Sequence, residues 1–151
     1  MTDPITFAFA TPRHALPNLF SAQAQKEFTI NEALARIDTL LHCAIEGIAN
    51  EPPANAADGQ VWLVGDVPTG LFADYPGKLA GRQAGNWIFA SPGAGMRVFD
   101  KATGKQALFD AGWHHAEAVA APSGGSVIDV EARTAIAGLI SALVAARILP
   151  D

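Results

Sequence analysis

The sequence predicts an α+β protein: an N-terminal arm and helix, a small antiparallel β meander or barrel, a linker and a C-terminal oligomerising helix. Three observations point there. Residues 29–49 and 129–149 each carry a helix-start signal followed by apolar residues at helical spacing. Residues 58–113 switch to short β-prone runs divided by Gly- and Pro-bearing turns. The chain also holds 14 Gly and 10 Pro among 151 residues, a turn-rich composition that favours short elements.

Residues 1–28 read as an extended arm, because Pro4, Pro12 and Pro17 block a long helix. Phe7 and Phe9 alternate with Thr6 and Ala8, so residues 5–10 suit an edge strand or a segment lying on another surface. In the helix expected over 29–49, Thr29 and Glu32 form a capping box. Ile30, Leu34, Ile37, Leu41, Ala44 and Ile48 then recur on one face at steps of four and three. That stripe fits either packing on its own domain or a symmetric oligomer axis. Pro52 and Pro53 stop the helix.

The β module over 58–113 has Val61 to Val64, Trp87 to Phe89, Met96 to Phe99 and Ala107 to Phe109 as its strand-like runs, with 78–83 as a further candidate. Thr103-Gly104 marks a hairpin bend between Lys101 and Lys105. Residues 116–126 are rich in Ala, Pro, Gly and Ser and read as a linker. In the helix over 129–149, Asp129 is the N-cap, Glu131 lies in the first turn and Arg147 in the last. Its wheel shows one narrow polar strip through Glu131, Thr134 and Ser141 and two apolar arcs. A surface helix buries one face, so two arcs call for partners on both sides, most simply copies of itself. Ile136, Leu139, Ile140, Leu143 and Val144 are the expected interface residues.

Composition excludes several classes. Ten basic and 15 acidic residues give a net charge of −5, and the basic ones are scattered, which argues against nucleic acid as a partner. The longest apolar run, over 134–146, falls short of the about 18 residues a membrane span needs. Residues 1–10 lack a basic n-region and carry Asp3 and Pro4, unlike a secretory signal. One cysteine, Cys43, makes neither a disulfide framework nor a Cys-based zinc site.

Chemistry-bearing patterns are few. G-x-S-x-G, a Walker loop, G-x-G-x-x-G and H-E-x-x-H are absent from the sequence, so no catalytic residue, cofactor or metal is expected. Adjacent His114 and His115 point to opposite sides of an extended chain and make a poor chelate. Asp100 and Asp110 end neighbouring runs; turn initiation explains them better than a glycosidase pair. The aromatics crowd into the β module. Trp62 and Phe89 lie inside runs and suit the core. Phe72 and Tyr75 lie between Thr69-Gly70 and Pro76-Gly77, where a loop can present rings to a sugar.

Leu16-Pro17-Asn18-Leu19, Gln23-Ala24-Gln25-Lys26-Glu27 and Asn31-Glu32-Ala33-Leu34 running on to Asp38 resemble the opening of an uncharacterised domain family. That family is found in structural gene clusters of tailed bacteriophages, prophages and gene transfer agents. The resemblance continues through Trp62-Leu63-Val64 and Gly85-Asn86-Trp87 and covers about residues 14–113. One departure is Leu71-Phe72, where a Trp is expected after Thr-Gly. The resemblance implies a virion component, a fibre or spike or its attachment base, assembled in the bacterial cytoplasm beside other virion proteins. A homotrimer is the favoured assembly and a pentamer the runner-up. The alternative expectation is a carbohydrate-binding adhesin that recognises host surface polysaccharide through Phe72 and Tyr75.

Overall fold

The computed structural model describes residues 10–18, 26–126 and 128–149. It shows an α+β fold in two compact units, Met1–Pro92 and Gly93–Asp151. The continuous module expected over 58–113 is therefore divided between Pro92 and Gly93. The strand expected over 5–10 lies outside the described residues, except for Ala10.

Within the expected arm of the first unit, the described residues 10–18 form a tight turn. Ala10 and Pro17 form an antiparallel bridge, Ala15 N–H donates to Thr11 O (3.1 Å), and Ala15 takes a left-handed φ of 50°. The turn is fastened to helix α1 (Lys26–Leu40) by Asp38, whose side chain is 1% exposed. Its carboxylate accepts from Thr11 Oγ1 (2.7 Å), Arg13 N (3.0 Å) and His14 N (2.6 Å). The Arg13 guanidinium donates in turn to the carbonyls of Asp38 and Thr39 (2.7 Å each) and His42 (3.1 Å). These are acceptors at a helix C-terminus, which has free carbonyls and a negative dipole end.

That clamp ends α1 nine residues before the sequence expectation of 29–49. Leu41 N–H still donates to Ile37 O (2.8 Å), but His42 turns left-handed (φ 47°) and the chain leaves the helix. Residues 44–45 and 48–49 become short strands, β1 (Ala44–Ile45) and β2 (Ile48–Ala49). Ile45 is 1% exposed, and its β-branched neighbour Ile48 suits a strand as well as a helical stripe. The capping box also fails. The helix starts at Lys26, so Thr29 is internal, and Glu32 pairs instead with Arg36 (2.8 Å).

The sheet of this unit runs β2–β3–β4–β5, with β3 (Val61–Val64), β4 (Leu79–Gln83) and β5 (Asn86–Ala90). β2 pairs in parallel with β3; the other pairings are antiparallel. The register places Val61, Leu63, Leu79, Gly81 and Ala90 on one face and Trp62, Val64, Ala80 and Phe89 on the other. α1 packs on the Gly81 face. A β-carbon at Gly81 would lie 2.7 Å from Thr39 Oγ1, so glycine there permits the close approach. Phe72, from a 3₁₀ turn over Gly70–Phe72, covers the opposite face with Val64 and Ala80. The turn between β4 and β5 is Ala84–Gly85, both left-handed at φ 47° and 74°.

In the second unit, β6 (Arg97–Asp100), β7 (Lys105–Phe109) and β8 (Trp113–His115) form an antiparallel meander. The expected hairpin bends at Gly104 (φ 68°), and buried Asp100 organises it, accepting from Ala102 N (2.9 Å) and Thr103 Oγ1 (2.8 Å). Residues 116–126 are exposed and carry no helix or strand. Helix α2 (Val130–Ala145) begins on the expected cap, with Asp129 Oδ1 accepting from Ala132 N (2.9 Å). It stops before residue 149. Arg147 turns left-handed (φ 58°), with Arg147 N donating to Val144 O and Ile148 N to Leu143 O (2.9 Å each). This is a Schellman motif with arginine where glycine is usual, so Arg147 lies beyond the last helical turn.

Two outcomes follow for stability. Asp38→Asn removes an acceptor oxygen from a buried site with three donors and lowers stability by about 2–3 kcal/mol in urea denaturation. Ala84→Asn gives the Asn-Gly sequence that a two-residue left-handed hairpin turn prefers and raises stability by about 0.5–1 kcal/mol.

Candidate functional site

Aromatic side chains gather on the sheet face opposite α1. Phe72 is fully buried at their centre and meets Trp87 edge-on (centroids 5.0 Å apart, 84°) and Phe89 likewise (5.7 Å, 86°). This corrects the expectation that Phe72 is presented to solvent. A 3₁₀ turn swings the ring inward, where it fills the space over small Ala80. Tyr75 stays half-buried at the margin, stacked flat on Phe89 (3.7 Å, 6°). Phe89, expected in the core, is likewise only half-buried, as is Trp87.

These rings border an open groove of about 680 Å³ beside β5, the last strand of its sheet. Its walls combine Tyr75, Phe89 and Trp87 with Glu32, Arg36 and Lys78. α1 supplies the polar wall. Arg36 is held from two sides: its Nε and Nη2 donate to Glu32 Oε1 (3.1 and 2.8 Å), and Nη1 donates to the Phe89 carbonyl (3.2 Å). Lys78 Nζ lies 5.1 Å from the centre of the Tyr75 ring, and the Arg82 guanidinium lies 5.2 Å from that of Trp87. Both are cation–π distances. The groove thus joins apolar ring surface, two cations and one carboxylate. Sequence reasoning found Tyr75 and missed the others. Glu32 and Arg36 are far from Tyr75 in the chain, and only the packing of α1 on the sheet brings them together.

The other expected site residues lie on α2, in the second unit. Ile136 and Leu139 are exposed at 44% and 61%, and Ile140, Leu143 and Val144 are half-buried. None of the helix's described residues is buried. His114 Nε2 donates to the Asp110 carbonyl (3.0 Å), and no group of three or more metal-ligating side chains occurs among the described residues. Asp100 is committed to its turn.

Fold and groove define an α+β protein with an open groove lined by aromatic rings and cations. Residues 30–114 match the model of a family described as a protein of unknown function (DUF2793), and the chain belongs to that family. The match takes in most of α1 and the strands up to the second residue of β8, and it ends before α2. No curated protein matches the chain.

Cys43 is buried beside the Arg13 clamp. Burial pushes its thiol from 9.0 up to about 11, against a smaller opposing pull from the Arg13 cation. The unfolded thiol ionises first, so the folded state holds the extra proton between these values. The stability this contributes is complete below pH 9 and is lost as pH rises through about 11. Denaturation profiles of wild type and Cys43→Ala should diverge over that window, the wild type falling more steeply.

Proposed function

We propose that the chain is a non-enzymatic virion structural protein of a tailed phage or gene transfer agent. In this reading it is a fibre or spike, or its attachment base, and works as a symmetric homo-oligomer. The virion assignment rests on the resemblance of residues 14–113, and the oligomer rests on α2. That helix leaves Val130, Ile136 and Leu139 at 67%, 44% and 61% exposure and buries none of its described residues. Covering a large aliphatic side chain contributes about 1.5–3 kcal/mol, so copies of α2 gain by packing together.

α1 supports the same reading. Among the residues of α1 whose side chains are described, Ala35, Asp38 and Thr39 are buried, while Ile30 and Ile37, and Leu41 just past its end, are 43%, 50% and 42% exposed. Of the expected stripe, Ile30 and Ile37 thus face outward on α1, while Leu34 is half-buried. The trimer is the first choice and the pentamer the second; other virion proteins complete the assembly, which forms in the bacterial cytoplasm. Nucleic acid and membrane are not partners in this reading. No helix of the described residues is long and apolar enough to cross a membrane.

A second reading is favoured by the groove. Exposed portions of Tyr75, Trp87 and Phe89 suit the C–H faces of a sugar, so the module also serves as an adhesin for host surface polysaccharide.

Light scattering on the full chain should give a multiple of 15.7 kDa, and antibody labelling should place the protein on purified particles. A monomer at micromolar concentration overturns the oligomer, and unlabelled particles overturn the virion role. Leu139→Asp should weaken assembly by about tenfold or more, because a carboxylate enters the apolar contact, while Thr134→Asp on the polar strip stays within about threefold.

A further inference from the structure

We propose that the groove beside β5 takes an acidic saccharide, with Lys78 meeting its carboxylate. The inference rests on the adhesin reading and adds the ligand's chemical class and the residues that select it. Lys78 Nζ forms no ion pair among the described residues; it hovers over Tyr75, 5.1 Å from the ring centre. An ammonium held there needs only a small movement to meet an anion that settles against the ring. On the other wall, Arg36 is locked by Glu32 and the Phe89 carbonyl, which fixes both members of the pair. Glu32 Oε1 receives both Arg36 donors, so among the described residues Oε2 is the oxygen placed to accept from sugar hydroxyls.

The combination discriminates among ligands. Rings serve the C–H face, the Glu32 carboxylate serves hydroxyls, and the ammonium serves one negative charge. A phosphodiester chain has few hydroxyls to offer Glu32 and sets its closely spaced charges beside that carboxylate. A neutral sugar leaves Lys78 without a partner. A uronic or sialic acid residue within a polysaccharide uses all three groups. The local balance of charge in the groove thus outweighs the acidic total, since exposed charges more than a Debye length away, about 8 Å at physiological ionic strength, are largely screened.

The test is a glycan array probed with the full-length protein. Each uronic- or sialic-acid oligosaccharide is printed beside its carboxyl-reduced counterpart, and inorganic polyphosphate serves as competitor. The acidic forms should bind about tenfold or more tighter than the reduced ones, the usual worth of a charge-assisted contact. Lys78→Gln should erase that preference and Lys78→Arg should keep it, with thermal unfolding used to confirm that both variants fold. Tyr75→Ala should weaken acidic and reduced forms alike. Equal binding of acidic and reduced forms by wild type overturns the inference and leaves the adhesin reading standing. So does a preference that survives Lys78→Gln. Absence of binding to any glycan overturns both readings. Displacement of every glycan by polyphosphate shows nonspecific anion attraction and also overturns the inference.

Discussion

The first unit depends on one buried carboxylate. Asp38 sits in the last turn of α1 and is 1% exposed, which would be costly for an ionised group without partners. Thr11, Arg13 and His14 supply three donors, all from a single turn, so satisfying the charge also anchors that turn. Arg13 then reverses the direction of the interaction and donates to the carbonyls that α1 leaves free at its end. His14 adds a bond to the Leu41 carbonyl (3.0 Å). The helix stop, the entry into β1 and the seating of Thr39 against Gly81 follow from this arrangement. The groove follows as well, because the same seating brings Arg36 to the carbonyl of Phe89.

The same constraint explains why α1 inverts the usual amphipathic rule. A surface helix normally turns its apolar stripe inward. Here the inward face is Ala35, Asp38 and Thr39, with Thr39 Oγ1 satisfied by the Ala35 carbonyl (2.9 Å). Once the polar side is committed to the clamp, Ile30, Ile37 and Leu41 are left outside. Such a stripe forgoes burial energy in a monomer and recovers it in an assembly. Among the described residues, Ile30 and Ile37 on α1 and Val130, Ile136 and Leu139 on α2 are exposed aliphatic side chains of this kind.

What the sequence revealed and what it hid divide along physical lines. The core strands, the hairpin at Gly104 and the Asp129 cap were legible because each depends on residues adjacent in the chain. β3 is a β-branched and aromatic run; Thr103-Gly104 supplies the bend; Asp129 needs only Ala132. The end of α1 was not legible, because the heptad spacing runs on through Ala44 and Ile48, and the stop comes from Arg13, 25 residues before the Asp38 carbonyl it binds. Phe72 was misread for a related reason. Turn residues flank it, which suggests exposure, but a 3₁₀ turn carries the ring inward, and only the sheet opposite shows where it goes. The division of the β region at Pro92 likewise leaves no local mark beyond ordinary turn punctuation.

The groove shows how a site can be invisible in composition and plain in space. The scattered cations argue against a nucleic-acid partner, and no stretch of sequence collects them. Arg36 comes from a helix, Lys78 from the residue just before β4 and Arg82 from within β4, yet packing sets them around the rings of Tyr75, Trp87 and Phe89. Each cation rests against an aromatic ring or a fixed carboxylate–carbonyl pair, so its direction is restrained before any ligand arrives. A restrained charge loses less entropy on binding than a free lysine or arginine on the surface. An acidic protein can therefore hold a selective anionic ligand without a basic patch, provided that a few cations are positioned by the fold and not merely numerous.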